Sequence, residues 1–289
     1  MPLSKKEWLA LEKKANELRH LCLDTTFWAG SGHIGGGMSI MDMLTILYHK
    51  YLNIKVEEPL WEDRDRFIMS KGHAGIALAP VLVDKGFNDP EQLKTFNHTN
   101  SKMGMHLDSN KVIGVDASTG SLGHGLSIAL GMALAARVEG KSYLTYCILG
   151  DGECDEGSNW EAAMAASHYK ATNLISFVDR NKCMIDGCTE DVMGLEPFAD
   201  KWTAFGFIVK EIDGHNFNEL ADAIDFALAN KEAPVMIIAN TIKGAGIDYM
   251  ENDYKWHYGA IDEDKYHKAQ ESLDKYYETR KARAEKEGA

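Results

Sequence analysis

The sequence predicts an α/β fold, a mostly parallel sheet with helices on both faces, and three observations carry that expectation. Short apolar runs alternate with helix-like segments along most of the chain, the order that produces crossover connections and parallel strands. Several runs stop at glycine, aspartate or asparagine, as strands do where they give way to loops at one edge of such a sheet. No internal repeat or low-complexity segment interrupts the pattern. We expect a single domain over residues 1–289, opening with a helix at 4–29 and closing with a charged helical tail at 262–289.

The composition suits a globular protein of this length, with 45% apolar and 26% charged residues. Thirty-one basic against 44 acidic residues leave a net charge of −13, which opposes binding to nucleic acid or an anionic membrane. No apolar stretch approaches membrane-spanning length, and the first residues lack the apolar run of a signal peptide. Five cysteines form no C-x-x-C pair, so we expect reduced thiols in the cytoplasm.

In the segment 4–29, Trp8, Leu9, Leu11, Ala15, Leu18, Leu21 and Cys22 fall near three-and-four spacing, as one buried helical stripe requires. Glycines 30 and 32 end that helix. A glycine-rich loop carrying His33 follows, then an apolar helix from an N-capping Ser39 to Leu52. The charged turn at 61–66 precedes a buried strand at 67–70, which delivers His73 to the ligand-binding edge. His98 and His106 lie on a polar loop, with His98 read as a surface residue. The turn at 119–125 opens a helix through 136 so apolar that it must be buried all round or between subunits.

Residues 147–187 form the centre of the pattern. A strand at 146–149 breaks at Gly150-Asp151-Gly152, a helix covers 156–169, and a strand at 174–178 ends in Asp179-Arg180-Asn181. This βαβ unit places a carboxylate and an amide at adjacent strand ends. Both offer hard oxygens suited to Mg²⁺ or Ca²⁺, and the helix N-terminus near Glu156 suits an anion. The pattern describes a metal-bridged diphosphate site, or else two ordinary turns. Beyond it come a helix at 199–207, a strand at 208–212, His215 and Asn216 as caps of a helix at 217–229, and a strand at 234–239. Lys243 follows as a point charge placed to meet phosphate at the same edge. The tail beyond Asp262 is expected to be a charged helix ending in a lysine- and glutamate-rich segment, frayed and solvated.

Gly150-Asp151-Gly152 followed by Asn181 resembles the thiamine diphosphate signature, and the surrounding words resemble the transketolase family: SGHIGG, DRFIMSKGH, TGSLGHG and WHYGAI. The resemblance runs in family order from His33 to His257 and implies a thiamine diphosphate-binding fold. It implies that Asp151, Asn181 and the backbone carbonyl of Cys183 hold Mg²⁺, with Ca²⁺ able to substitute. It places Gly152 against the diphosphate, Ile185 against the thiazolium, and Gly120, Ser121 and Leu122 at the aminopyrimidine side through their backbones. By the same resemblance, His73 and His257 meet cofactor and substrate, while Lys243 meets phosphate. His33 and His106 complete a set of four histidines that hydrogen-bond substrate oxygens and shuttle protons, with pKa values near working pH. Glu156 joins a carboxylate network between two active sites. Ile34 stands where most members have Pro, Gly36 where some have a cofactor-contacting Ser, and Arg180 where many have Asn or Asp.

The implied activity is thiamine- and Mg²⁺-dependent transfer of a two-carbon ketol unit from a ketose phosphate to an aldose phosphate. The family's pyrimidine-binding half has no counterpart in these words. The expectation is therefore the N-terminal subunit of a split transketolase, working with a separate C-terminal subunit in an α2β2 heterotetramer. The alternatives are the α subunit of a thiamine-dependent 2-oxo acid dehydrogenase and a non-catalytic cofactor-binding subunit.

Overall fold

The computed structural model describes residues 3–288, so the outermost residues of the domain expected over 1–289 lie outside them. The chain begins with α1 (Lys5–Ala29), whose Ser4 and Glu7 form a reciprocal capping box, and which ends at Gly30 with φ 78°. A two-residue strand β1 (Ser31–Gly32) leads into α2 (Ile34–Ser39) and α3 (Met41–Ile46), continued by a wider turn to Tyr51. The helix expected to start at Ser39 thus starts at Ile34. Ser39 caps nothing; it is buried, with its hydroxyl 2.8 Å from Asp179 Oδ2.

Next come β2 (Arg66–Met69), α4 (Gly75–Asp84), α5 (Gly125–Val138), β3 (Thr145–Gly150), α6 (Gly157–His168) and β4 (Leu174–Arg180). The chain then forms α7 (Thr189–Val192), α8 (Phe198–Ala204), β5 (Ile208–Asp213), α9 (Phe217–Ala229), β6 (Val235–Asn240), β7 (Gly259–Ala260) and α10 (Glu263–Glu287). No helix was expected at α4. Every residue from Gly75 to Val83 is buried, so the segment has no polar face and carries no helical period.

Five strands pair in the order β2-β3-β4-β6-β5, all parallel. Alternate strand residues feed two apolar cores, as a pleated strand buried on both faces requires. Tyr146, Ile148, Ile175, Phe177, Val235 and Ile237 join the first, with α1 to α4, α9 and α10. Ile68, Cys147, Leu149, Val178, Met236 and Ile238 join the second, with α5, α6 and α8. The fold is therefore the expected parallel sheet with helices on both faces. Strand register sets Gly150 beside Asp179 and Arg180 beside Asn240. The loops that begin at Ser70, Asp151, Asn181 and Thr241 accordingly leave one edge together.

The tail differs from expectation. Helix α10 packs along α1, burying Ala269, Ser272, Leu273, Arg280 and Ala284 at three-and-four spacing. Its charges are not all solvated. Arg280 reaches inward to Glu12 and Asp42, and Lys5 Nζ of α1 donates to Glu285 O at 2.6 Å. Helix α5 buries Leu126, Ala129, Leu130, Ala133 and Ala136, while Val138 and Gly131 on its other side are exposed. It is not buried all round within this chain.

Candidate functional site

At the carboxyl edge of the sheet a cavity of about 270 Å³ opens between the loops after β2, β3, β4 and β6. Asp151, Gly152, Asn181, Cys183, Ile185, Lys243, His73, His257 and Leu122 line it, so nine of the residues singled out in the sequence share one space. His33 adjoins the cavity through its ring, 5.1 Å from that of His73 and 5.3 Å from that of His257. Antiparallel pairing of β1 with β7 makes this approach possible, because it sets Gly32 opposite Gly259. His106 stands one step out, 6.4 Å from His33 between ring centres. Gly120 has φ 142°, and a Cβ there would lie 2.5 Å from His106 Cδ2, so only glycine lets this backbone pass the ring. Ser121 and Glu156 are exposed and do not line the cavity; Glu156 is the residue preceding α6.

Asp151 is 2% exposed. Its Oδ1 accepts from Gly152 N at 2.8 Å and its Oδ2 from Lys182 N at 2.6 Å. Arg180 Nη1 lies 3.2 Å from Oδ2, while Arg180 Nη2 reaches Glu190 and Glu196. Burial and the charge of Asp179 push the Asp151 carboxyl up to about 6 despite these partners. Asn181 Nδ2 donates to Asp179 Oδ2 at 2.6 Å, and its Oδ1 accepts from Cys183 N at 3.1 Å. The Cys183 carbonyl accepts from Lys243 Nζ at 3.2 Å. A carboxylate raised by burial and by the neighbouring charge of Asp179, an amide oxygen and a carbonyl already drawing an ammonium make a donor set that fits a hard divalent cation.

Several members of the site carried no sequence signal. Lys71 is 2% exposed and donates to Gly36 O at 2.8 Å and Asp179 Oδ2 at 2.6 Å. Asp179 accepts in addition from Ser39, Asn181 and Thr241. Burial raises its pKa, but Lys71 and these donors outweigh that and hold it below the usual carboxylate range. Glu153 is also buried, and accepts from Gly123 N and Gly150 N at 3.0 Å each and from Ser70. It thereby ties three loops to one carboxylate. Lys71, Asp179 and Glu153 lie in common turn or strand sequences, and only their burial marks them.

The histidines depart from the pKa values expected. Burial, then the charge on Lys243 and Lys71 or the neighbouring imidazoles, pushes His33 down to about 4 and His257 down to about 3. His73 falls further for the same reasons, and burial lowers His106. His33, His73 and His257 are therefore neutral imidazoles near pH 7, and burial favours the neutral form of His106 as well. Lys243 Nζ lies 3.2 Å from His257 Nδ1, an ammonium donating to a neutral ring. His33 Nδ1 is buried with no hydrogen-bond partner among the described residues, an unmet polar atom at the rim. Lys243 is itself lowered, by burial and by Lys71. This is a cavity with two buried cations and an unfilled hydrogen-bonding demand, inside a protein of net charge −13.

A pH dependence follows. Between about 6.5 and 4 the unfolded chain takes up protons at His33 and His257 that the folded chain refuses, so these groups weaken folding as pH falls. The melting temperature of a His33→Asn variant relative to the parent should therefore rise as pH drops from 7 to 4.5. A difference that stays flat over that range would contradict the assignment.

Residues 11–282 match the family described as "Transketolase, thiamine diphosphate binding domain". The 6-deoxy-6-sulfo-D-fructose transketolase subunit SqwG of Clostridium sp. (strain MSTE9) is 42% identical over 265 residues, covering 92% of this chain and 96% of that protein. An apulose-4-phosphate transketolase subunit of Phocaeicola vulgatus is 40% identical over 259 residues, covering 90% and 92%. Among solved structures, a transketolase variant from Pichia stipitis superposes with a TM-score of 0.86 at 28% identity. That match covers 96% of this chain but only 44% of the yeast chain, so the chain spans less than half the length of that enzyme.

Proposed function

The chain belongs to the transketolase family through its thiamine diphosphate binding domain, and from that premise we propose that it works as the diphosphate-binding, N-terminal subunit of a split transketolase. The observation that carries the reading is the single cavity shared by Asp151, Asn181, Cys183, Lys243 and His257. Asp151, Asn181 and the Cys183 carbonyl would hold Mg²⁺ or Ca²⁺, and Lys243, Gly152 and His257 would receive the diphosphate. Gly120, Ser121 and Leu122 would meet the aminopyrimidine side through their backbones, and Ile185, 61% exposed at the rim, would cover the thiazolium. Bound there, thiamine diphosphate supplies carbanion stabilisation for ketol transfer, a chemistry that belongs to the cofactor.

The chain's own part is positioning and proton handling. Lys71 and Lys243 offset anionic charge. His33, His73, His106 and His257 would hydrogen-bond sugar hydroxyls as neutral rings, and a proton taken from substrate would be passed on rather than retained, because burial disfavours the imidazolium. The unmet His33 Nδ1 supports a role at the substrate. Glu156, exposed in this chain, would meet a carboxylate across a subunit boundary.

A partner supplying the pyrimidine-binding half is the finer part of the proposal, most simply as an α2β2 heterotetramer. It is supported by relatives of matching length whose names call them subunits. The exposed side of α5 gives such a partner a surface to cover. Sugar phosphates or related sulfonated sugars are the proposed substrates. The five free thiols, Cys188 alone exposed, support a cytoplasmic setting. Among the described residues no helix is long and apolar enough to cross a membrane.

The test is co-expression with a C-terminal transketolase subunit, purification of the complex, and assay with xylulose 5-phosphate, 6-deoxy-6-sulfofructose and apulose 4-phosphate. Ketol transfer by the complex, absent from the chain alone, is expected. Substantial turnover by the chain alone would refute the split arrangement, and turnover of pyruvate would favour a 2-oxo acid dehydrogenase.

A further inference from the structure

The sequence places both His215 and Asn216 as caps of α9, yet Asn216 alone caps it, through its side-chain oxygen and Asn218 N at 3.0 Å. His215 lies across the molecule's two polar centres. Its Nδ1 is 2.8 Å from Asp42 Oδ2, and its Nε2 accepts from the backbone N–H of Ile242 at 2.9 Å. Asp42 is fully buried and already held by the two terminal nitrogens of Arg19, at 3.0 and 2.7 Å, and by Arg280 Nη1 at 3.0 Å. Burial opposes its charge, but the two guanidiniums outweigh burial and keep it ionised. An ionised carboxylate only accepts, so the imidazole proton sits on Nδ1. The tautomer is thereby fixed, and the lone pair on Nε2 is left to the Ile242 amide.

Ile242 immediately precedes Lys243. The segment around it has other ties, namely Thr241 N to Arg180 O at 3.2 Å, the Thr241 hydroxyl to Asp179, Gly244 N to Gly35 O at 3.0 Å, Ala245 N to Ile242 O at 3.1 Å and Asn252 N to Lys243 O at 3.0 Å, but it is the His215 ring that takes the Ile242 amide. The Lys243 side chain must run from this turn to the Cys183 carbonyl and His257 while 2% exposed. A shift of the turn moves a buried ammonium with no solvent to absorb the change.

We infer that His215 is a positioning residue for cofactor binding: braced by the Arg19–Asp42–Arg280 cluster, it holds the Ile242 amide and so aims Lys243 into the diphosphate cavity. Arg280 belongs to α10, so the C-terminal helix is coupled to the site through Asp42 and this imidazole. The inference rests on the reading of the cavity as a thiamine diphosphate site.

The two ring nitrogens can be tested separately. His215→Gln puts an amide oxygen near the Nε2 position and can still accept from Ile242. His215→Asn puts its amide near Nδ1, keeps the bond to Asp42, and loses Ile242. Affinity for thiamine diphosphate at fixed Mg²⁺ is measured by calorimetry on the full chain and on its complex with the C-terminal subunit. Hydrogen exchange at the Ile242 amide is measured on the same proteins.

His215→Asn should bind about tenfold more weakly and exchange Ile242 faster, with His215→Gln within about threefold of the parent, as losing or keeping one buried hydrogen bond dictates. In a Lys243→Met background the Asn substitution should have no further effect on affinity, because its route to the cofactor is gone. Equal weakening by Asn and Gln, unaltered affinity in a folded His215→Asn protein, or additivity with Lys243→Met would overturn the inference. Failure of the parent to bind thiamine diphosphate would instead overturn the reading of the cavity.

Discussion

Replacing Asp151 with alanine should weaken Mg²⁺-dependent thiamine diphosphate binding by at least about 100-fold, roughly 2.7 kcal/mol, with little loss of fold stability. The first half follows from the donor set: Asp151 is the one carboxylate among the three proposed metal donors, and an amide and a carbonyl alone leave the divalent charge unmet. The second half follows from its electrostatics. In the absence of metal this carboxyl is pushed up to about 6 by burial and by Asp179, so its charge strains the fold it sits in. Removing it takes away that strain, and Arg180 keeps Glu190 and Glu196 as partners. Calorimetric titration with and without Mg²⁺, beside melting curves of the cofactor-free proteins, separates the two effects. Retained affinity would sink the metal assignment; a melting point lower by much more than about 5 °C would show that the carboxylate is structural.

The larger stability effect should come from Lys71. Among the described residues its ammonium is the one cation in direct contact with Asp179, which is 0% exposed, and the other partners of that carboxylate are neutral donors. Methionine at 71 keeps the volume and strands the charge, so a loss of about 3–5 kcal/mol is expected, as for other broken buried pairs. Adding Asp179→Asn to Lys71→Met should recover a large part of that loss, because the stranded charge goes with it. Chemical denaturation of the two single variants and the double variant measures the coupling. Additive losses would show that the pair does not interact as drawn. Cofactor binding should fall with Lys71→Met too, since Asp179 fixes Asn181 Nδ2 and so which end of that amide carries Oδ1 to the cavity.

Much of the fold can be read from residue order. Strand ends at Met69, Gly150, Arg180, Asp213 and Asn240 fall within two residues of where the apolar runs stop. The reason is local: a strand buried on both faces must be continuously apolar, and it must end where the chain leaves the sheet. Helix α4 escapes such a reading because complete burial erases the polar face that periodicity detects. The tail misleads in the opposite sense. Its abundance of Lys and Glu conceals a stripe of Ala269, Leu273, Arg280 and Ala284 facing α1.

The site divides the same way. Glycine-flanked Asp151, Asn181 and the histidine-bearing words are visible because close backbone approach to a ligand leaves short, unusual strings. Lys71, Asp179, Glu153 and the bracing role of His215 are not, although these residues hold those strings in place. Their partners are remote: Lys71 lies 108 residues from Asp179, and His215 lies 173 from Asp42. Residue order alone determined the sheet, its ligand edge and the acid–amide pair that marks it. Tertiary structure decided which charges face each other out of water, and therefore that the histidines are neutral and that two lysines are buried at the cavity. Periodicity and turn chemistry are properties of neighbouring residues, whereas desolvation and pairing of charge exist only once distant segments have closed around them.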